Sequence, residues 1–262
     1  MFSLRVFIVF ILCVFLFTVN SCYGSEIING NEVQPHSLPF MALLQSNVPL
    51  CGGILLHPKW VLTAAHCKDV KTVLLGVHSI KEKEKEKQYR QVQHVSKHII
   101  HPCYDEAENV NDLMLLQLDK PVKETKWVRR MKLNKAVEQP AVDSICTVAG
   151  WGKTNNVAKK MSDVLMSVNV TVINRTQCNS PDYYNLKPYI TRNMICAGSN
   201  GKNNADTCQG DSGGPILCNR VLVGVTSFGK FCGLKKKPGV YSFLSENHLN
   251  WIKKAMKKYK TE

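Results

Sequence analysis

After the apolar run Val6–Val19, the chain has no second hydrophobic stretch of comparable length, which argues against a bundle of membrane helices. It is also poor in acids. Twenty Asp and Glu stand against 34 Lys and Arg, giving a formal net charge of +14 at pH 7. Such an excess bears on association rather than fold, and it predicts attraction to polyanions such as proteoglycan glycosaminoglycans or nucleic acid. Its densest cluster is Lys253, Lys254, Lys257, Lys258 and Lys260. Long helical patterns are scarce too. Leu249, Ile252 and Met256 share helical spacing and predict one helix, roughly Glu246 to Lys258.

What is present starts with a targeting signal. Arg5 precedes the apolar run, and Cys22-Tyr23-Gly24 places small residues at the −3 and −1 positions of a cleavage site. Residues 1–24 therefore read as a secretory signal peptide, with 25–26 left as a dipeptide. The expected product is soluble, secreted and permissive for disulfides. About 236 residues then remain, enough for one two-barrel unit. Eleven cysteines include Cys13 and Cys22 in the leader, so the product carries an odd number. Sequence alone assigns no pairs, and an unpaired cysteine in a secreted protein suggests a bond between chains.

The body reads as short β-rich runs separated by turns: Gly52–Leu56, Trp60–Leu62, Thr72–Leu75, Leu113–Leu118, Val164–Ile173 and Val221–Ser227. Many short strands without intervening helices argue for an all-β sandwich or barrel. Lys81–Lys87 alternates Lys and Glu without apolar residues and reads as a solvated loop.

Two segments carry chemistry. Thr63-Ala64-Ala65-His66-Cys67 offers an imidazole beside a cysteine, and Gly210-Asp211-Ser212-Gly213-Gly214-Pro215 offers a hydroxyl in a glycine-rich loop. A serine hydroxyl needs an adjacent base to take its proton, and histidine titrates in the right range. A third group must hold the ring in one tautomer; Asp112, in Asn111-Asp112-Leu113-Met114, is the candidate. In order and context these residues resemble the chymotrypsin-like serine proteases, from Ile27 to the C-terminal helix.

That resemblance implies an all-β fold of two six-stranded antiparallel β-barrels with a C-terminal α-helix. Residues 27–131 would form the N-terminal barrel, 132–245 the C-terminal barrel and 246–262 the helix, with polar Lys132–Pro140 in the crossover. Ser212 would be the nucleophile, His66 the base and Asp112 its orienting group, with the N–H groups of Gly210 and Ser212 as oxyanion hole. Asp206 matches the base of the primary specificity pocket in trypsin-like members, with Ser227, Gly229 and Gly239 along its walls. The substrates implied are proteins cleaved after Lys or Arg. Ile27-Ile28-Asn29-Gly30 resembles a mature N-terminus, whose freed Ile27 ammonium would pair with Asp211. Glu26 precedes it, so a tryptic enzyme would not release it. The implied disulfides are Cys51–Cys67, Cys146–Cys218, Cys178–Cys196 and Cys208–Cys232. No cofactor is expected. A metal is not expected either, because Val77 stands where related calcium binders begin their carboxylates.

A dipeptide left by signal cleavage points to the granule proteases of leukocytes, the granzymes. Asn31-Glu32-Val33, Pro102-Cys103-Tyr104-Asp105, Val225–Gly229 and His248–Ile252 resemble them further. In one tryptic branch the cysteine matching Cys103 joins two subunits, implying a disulfide-linked homodimer; the other branch lacks it. Storage in secretory granules follows from the same resemblance. An inactive cationic binding protein on this scaffold would have lost its histidine or serine, and both are present. Asn169-Val170-Thr171 and Asn174-Arg175-Thr176 are N-glycosylation acceptor motifs.

Overall fold

The computed structural model describes residues 30–153, 160–199, 207–208, 210–229 and 234–258. A short edge strand β1 (Asn31–Glu32) precedes β2 (Met41–Gln45), β3 (Pro49–His57), β4 (Trp60–Thr63), β5 (Thr72–Leu75), β6 (Gln91–Ile100) and β7 (Met114–Leu118). Strands β2 to β7 close a barrel in the order β2-β3-β4-β7-β6-β5. Every pairing is antiparallel, and register shifts between Leu44 and Gln45, Leu55 and His57, and Val95 and Lys97 supply the bends that closure requires. Ile54, Leu62 and Leu115 lie in register on one face of β3, β4 and β7, and they and Leu55 on the opposite face are fully buried. Each such side chain contributes about 2 kcal/mol of burial free energy.

The second half contains β8 (Ile145–Gly150), β9 (Met166–Ile173), a short helix α1 (Arg175–Asn179), β10 (Met194–Gly198), β11 (Pro215–Cys218), β12 (Val221–Phe228) and β13 (Gly239–Phe243). Here the order is β9-β10-β13-β12-β11-β8, and the β8–β9 pairing closes the second barrel, with β1 added at the edge of β9. Helix α2 (Glu246–Lys258) buries His248, Leu249, Ile252 and Ala255. Glu246 in its first turn and Lys257 and Lys258 in its last complement the helix dipole. No helix among the described residues is long and apolar enough to cross a membrane.

Two segments differ from expectation. Strand β6 is polar, with six of its ten residues exposed and the other four half-buried, so its sequence lacks an apolar run. The Lys81–Lys87 segment is not wholly solvated. Glu86 is buried, accepts the N–H groups of His78 and Ser79 at 3.0 and 2.8 Å, and pairs with Arg90 at 2.9 Å. That acid anchors the loop to the barrel.

Candidate active site

Strand β4 ends at Thr63, and the buried Ala64 and Ala65 carry the chain into His66. A disulfide joins Cys51 to Cys67, bracketing the histidine against β3. The His66 backbone N–H donates to Asp112 Oδ1 at 3.0 Å, while its Nδ1 lies 2.7 Å from Asp112 Oδ2. Asp112 is fully buried, whereas the imidazole is 30% exposed. A carboxylate on Nδ1 selects the tautomer with the proton there, leaving Nε2 as an acceptor able to take a proton. Ser227 Oγ also donates to Asp112 Oδ2, and Ser242 Oγ donates to the Asp112 carbonyl at 3.1 Å.

The backbone presenting Asp112 is held as firmly. Asn111 adopts φ 54°, and the Leu113 N–H reaches back to the Asn111 carbonyl at 2.7 Å, closing a tight turn about Asp112. The Asn111 Nδ2 donates to the Cys103 carbonyl at 2.8 Å, and its Oδ1 lies 2.9 Å from His248 Nε2. The other His248 nitrogen sits 2.6 Å from the Phe243 carbonyl. Burial holds the His248 pKa below its ordinary value, opposed by the bond to Phe243. His101, packed edge-on against His248, is pushed down to about 4, mainly by burial and secondarily by His248. The sequence offered no cue that His248, 136 positions from the catalytic candidate Asp112 in a terminal helix, braces its neighbour.

Ser212 belongs to the other barrel, in the turn before β11. Gly210 has φ 101° and Gly213 φ 81°, both in the left-handed region that favours glycine. A Cβ on Gly213 would come within 2.1 Å of Thr63 Oγ1, 2.4 Å of the Gly52 carbonyl and 3.2 Å of the Ala64 nitrogen. The serine turn is thus seated directly on the segment leading to His66. The Gly52 N–H donates to the Ser212 carbonyl at 2.8 Å, and the Thr63 hydroxyl donates to the Gly52 carbonyl at 2.9 Å. Among the described residues, no acceptor takes the N–H of Gly210 or Ser212, and no hydrogen bond joins Ser212 Oγ to His66. A catalytic hydrogen bond of that kind often tightens only once substrate is bound.

Asp211, between them, is fully buried. Its Oδ1 accepts the Gly152 N–H and its Oδ2 the Cys208 N–H, both at 2.8 Å. Burial pushes its pKa up to about 6, against the lowering effect of the Cys208 and Gly152 amides. Gly150 and Gly152 enclose it so closely that a Cβ on either would collide with its carboxylate. Ile27, expected to approach this group, lies outside the described residues.

Of the expected pocket, Ser227 is buried at the end of β12, and Gly229 and Gly239 face each other, a Cβ on the first lying 3.7 Å from the Cα of the second. Asp206 lies outside the described residues. Disulfides also join Cys146 to Cys218 and Cys178 to Cys196. Cys208 is disulfide-bonded, while its expected partner Cys232 falls outside the described residues. Cys103 is a free, exposed thiol. Asn169 and Asn174 are exposed, the first accepting from Thr147 and the second capping α1. His66, Cys51 and Cys67 present ligand-type atoms within 4.8 Å of one another. The two sulfurs are spent in the disulfide, leaving no thiolate for a metal.

The trypsin family profile matches residues 27–252. Granzyme A of Bos taurus is 47% identical over 238 residues, covering 90% of this chain and 89% of the bovine one. Kallikrein-8 of Homo sapiens is 42% identical over 237 residues, covering 88% and 86%. Among solved structures, mouse neuropsin, described as a serine protease expressed in the limbic system of the brain, superposes with a TM-score of 0.77 at 38% identity. That superposition covers 87% of this chain and 99% of neuropsin.

Proposed function

On the premise that the chain belongs to the trypsin family and is a serine endopeptidase, we propose that it cleaves proteins after Lys or Arg in the manner of granzyme A. Ser212 Oγ attacks the scissile carbonyl as His66 takes its proton, and His66 then protonates the leaving amine. Asp112 keeps the ring in the required tautomer and stabilises its charged form, while the Gly210 and Ser212 amides receive the oxyanion. The observation that carries this reading is the buried Asp112 carboxylate 2.7 Å from His66 Nδ1, with the Ser212 turn seated on the His66 segment.

Specificity rests on Asp206 as a carboxylate at the pocket base, with Ser227 and the opposed Gly229 and Gly239 leaving room for a long cationic side chain. Activity begins when Ser25-Glu26 is removed and the Ile27 ammonium pairs with Asp211. Barrels over 27–131 and 132–245 and the segment 246–262 that carries α2 form one catalytic unit. The secreted protein is stored in granules on polyanionic proteoglycan, joined as a dimer through Cys103, with glycans at Asn169 and Asn174. The exposed free thiol supports the dimer. A second reading, a monomeric tryptic protease of granzyme K or kallikrein type, is favoured by the 42% identity to human kallikrein-8.

Enzyme with Ile27 exposed is assayed against Lys, Arg, Phe and Asp peptide esters. Lys and Arg esters are expected to turn over roughly a hundredfold faster than the others; a preference for Phe or Asp overturns the specificity. Non-reducing electrophoresis shows a dimer that reduction or Cys103→Ser collapses, and a monomer in both lanes selects the second reading.

A further inference from the structure

We infer that the groove between the inter-barrel crossover and α2 docks an acidic peptide segment bearing aliphatic or aromatic side chains. The cavity is about 710 Å³, a size usual for ligand sites. Its floor is apolar. Leu56 is buried, and Met131, Leu133 and Met256 are half-buried side chains packed on the first-barrel core. The segment leading into the crossover is fixed there by backbone bonds, Met131 N–H to the Leu55 carbonyl at 2.7 Å and Arg129 N–H to the Pro39 carbonyl at 2.9 Å. The groove therefore exists before any partner arrives, which lowers the cost of binding.

The rim is cationic. Arg129, Lys132 and Lys253 are exposed, and among the described residues no carboxylate pairs with any of them. The acid that lines the groove, Glu124, is already engaged, accepting the Arg130 N–H at 3.1 Å and lying 3.7 Å from Arg130 Nε. Three unpaired cations around one trough call for several anionic groups along a single ligand. The apolar floor calls for apolar groups between those anions. A sulfated glycan supplies only the first, and a fatty acid carries a single anion. An acidic peptide with interspersed Leu or Phe supplies both. This surface is separate from the residues assigned to catalysis, so the inference stands whether or not the tryptic reading does.

The test uses a fluorescein-labelled peptide of alternating acidic residues with Leu and Phe, free of Lys and Arg so that the proposed specificity pocket has nothing to hold. Anisotropy with the Ile27-exposed protein is expected to show saturable binding. The combined Arg129→Glu, Lys132→Glu and Lys253→Glu variant weakens it at least about tenfold, as does replacing Leu and Phe of the peptide by Ser. Unchanged Tm and Lys-ester hydrolysis show that the variant is folded. Undiminished binding by the triple variant or by the Ser peptide overturns the proposal. So does equal displacement by a heparin hexasaccharide or phosphatidylserine vesicles at matched charge, since either result reduces the groove to a charge-only surface.

Discussion

Asp112 and Asp211 are both fully buried, yet their surroundings differ in kind. Asp112 receives the backbone and ring of His66 and the hydroxyl of Ser227, so its charge is met within the chain as folded. Asp211 receives two backbone amides, and among the described residues no cation reaches it. Burial then outweighs the lowering effect of the two amides and raises its pKa to about 6. The contrast teaches that equal burial does not mean equal completion. One carboxylate is a finished component, and the other carries a deficit that a positive charge would fill.

The deficit has a defined pH signature. An unfolded aspartate loses its proton near 3.8, the folded one near 6. As pH rises through that window the unfolded chain sheds the proton first, so stability falls between about 4 and 6 and stays lower above. At neutral pH this corresponds to on the order of 3 kcal/mol.

The strongest way to break the contrast is Asp112→Asn. It keeps the shape but donates where the ring nitrogen needs an acceptor, and kcat is expected to drop by roughly 10⁴ with KM little changed. Retained turnover would show that Asp112 does not orient His66. Next in size is Asp211→Asn in the unprocessed chain, which removes a poorly met charge. Its Nδ2 then faces one of the two N–H groups that the carboxylate accepts, a penalty independent of pH, so the variant's Tm relative to the parent's should rise from pH 4 to pH 7. Taking the difference cancels the opposite trend from His101, whose depressed pKa destabilises the fold as pH falls from its ordinary value toward 4. A parent and variant that run parallel across this range would remove the deficit. The smallest effect is expected from Ser227→Ala. It strips one donor from Asp112 at a cost of about 1 kcal/mol, read as roughly a fivefold loss in kcat/KM.

Much of the fold was legible because its strands are apolar. Val61, Leu62, Leu74 and Leu75 announce β4 and β5 by composition, and α2 shows itself through the spacing of Leu249, Ile252 and Met256. Strand β6 stayed hidden because a mostly exposed strand tolerates Gln, His and Lys, and α1 because five residues span too little to display a period. As candidates, His66, Asp112 and Ser212 were visible through their neighbours in sequence. Asn111 and His248 were not, since their roles arise from contacts between distant segments. Glu86 was hidden for a different reason: its run of charges resembles a wet loop, and only its two backbone donors and Arg90 reveal a buried anchor.

The contact of Gly213 with Thr63 and Ala64 has a wider consequence. Each barrel closes upon itself, so beyond the two-residue β1–β9 pairing and the Ser79–Val164 bridge the two halves are registered by isolated latches such as Gly52 to Ser212. Alignment of hydroxyl and imidazole is therefore a property of the seam, not of either half. Mild denaturant should silence hydrolysis while both barrels still give native circular dichroism, and a bulkier residue at position 213 should do so without any denaturant.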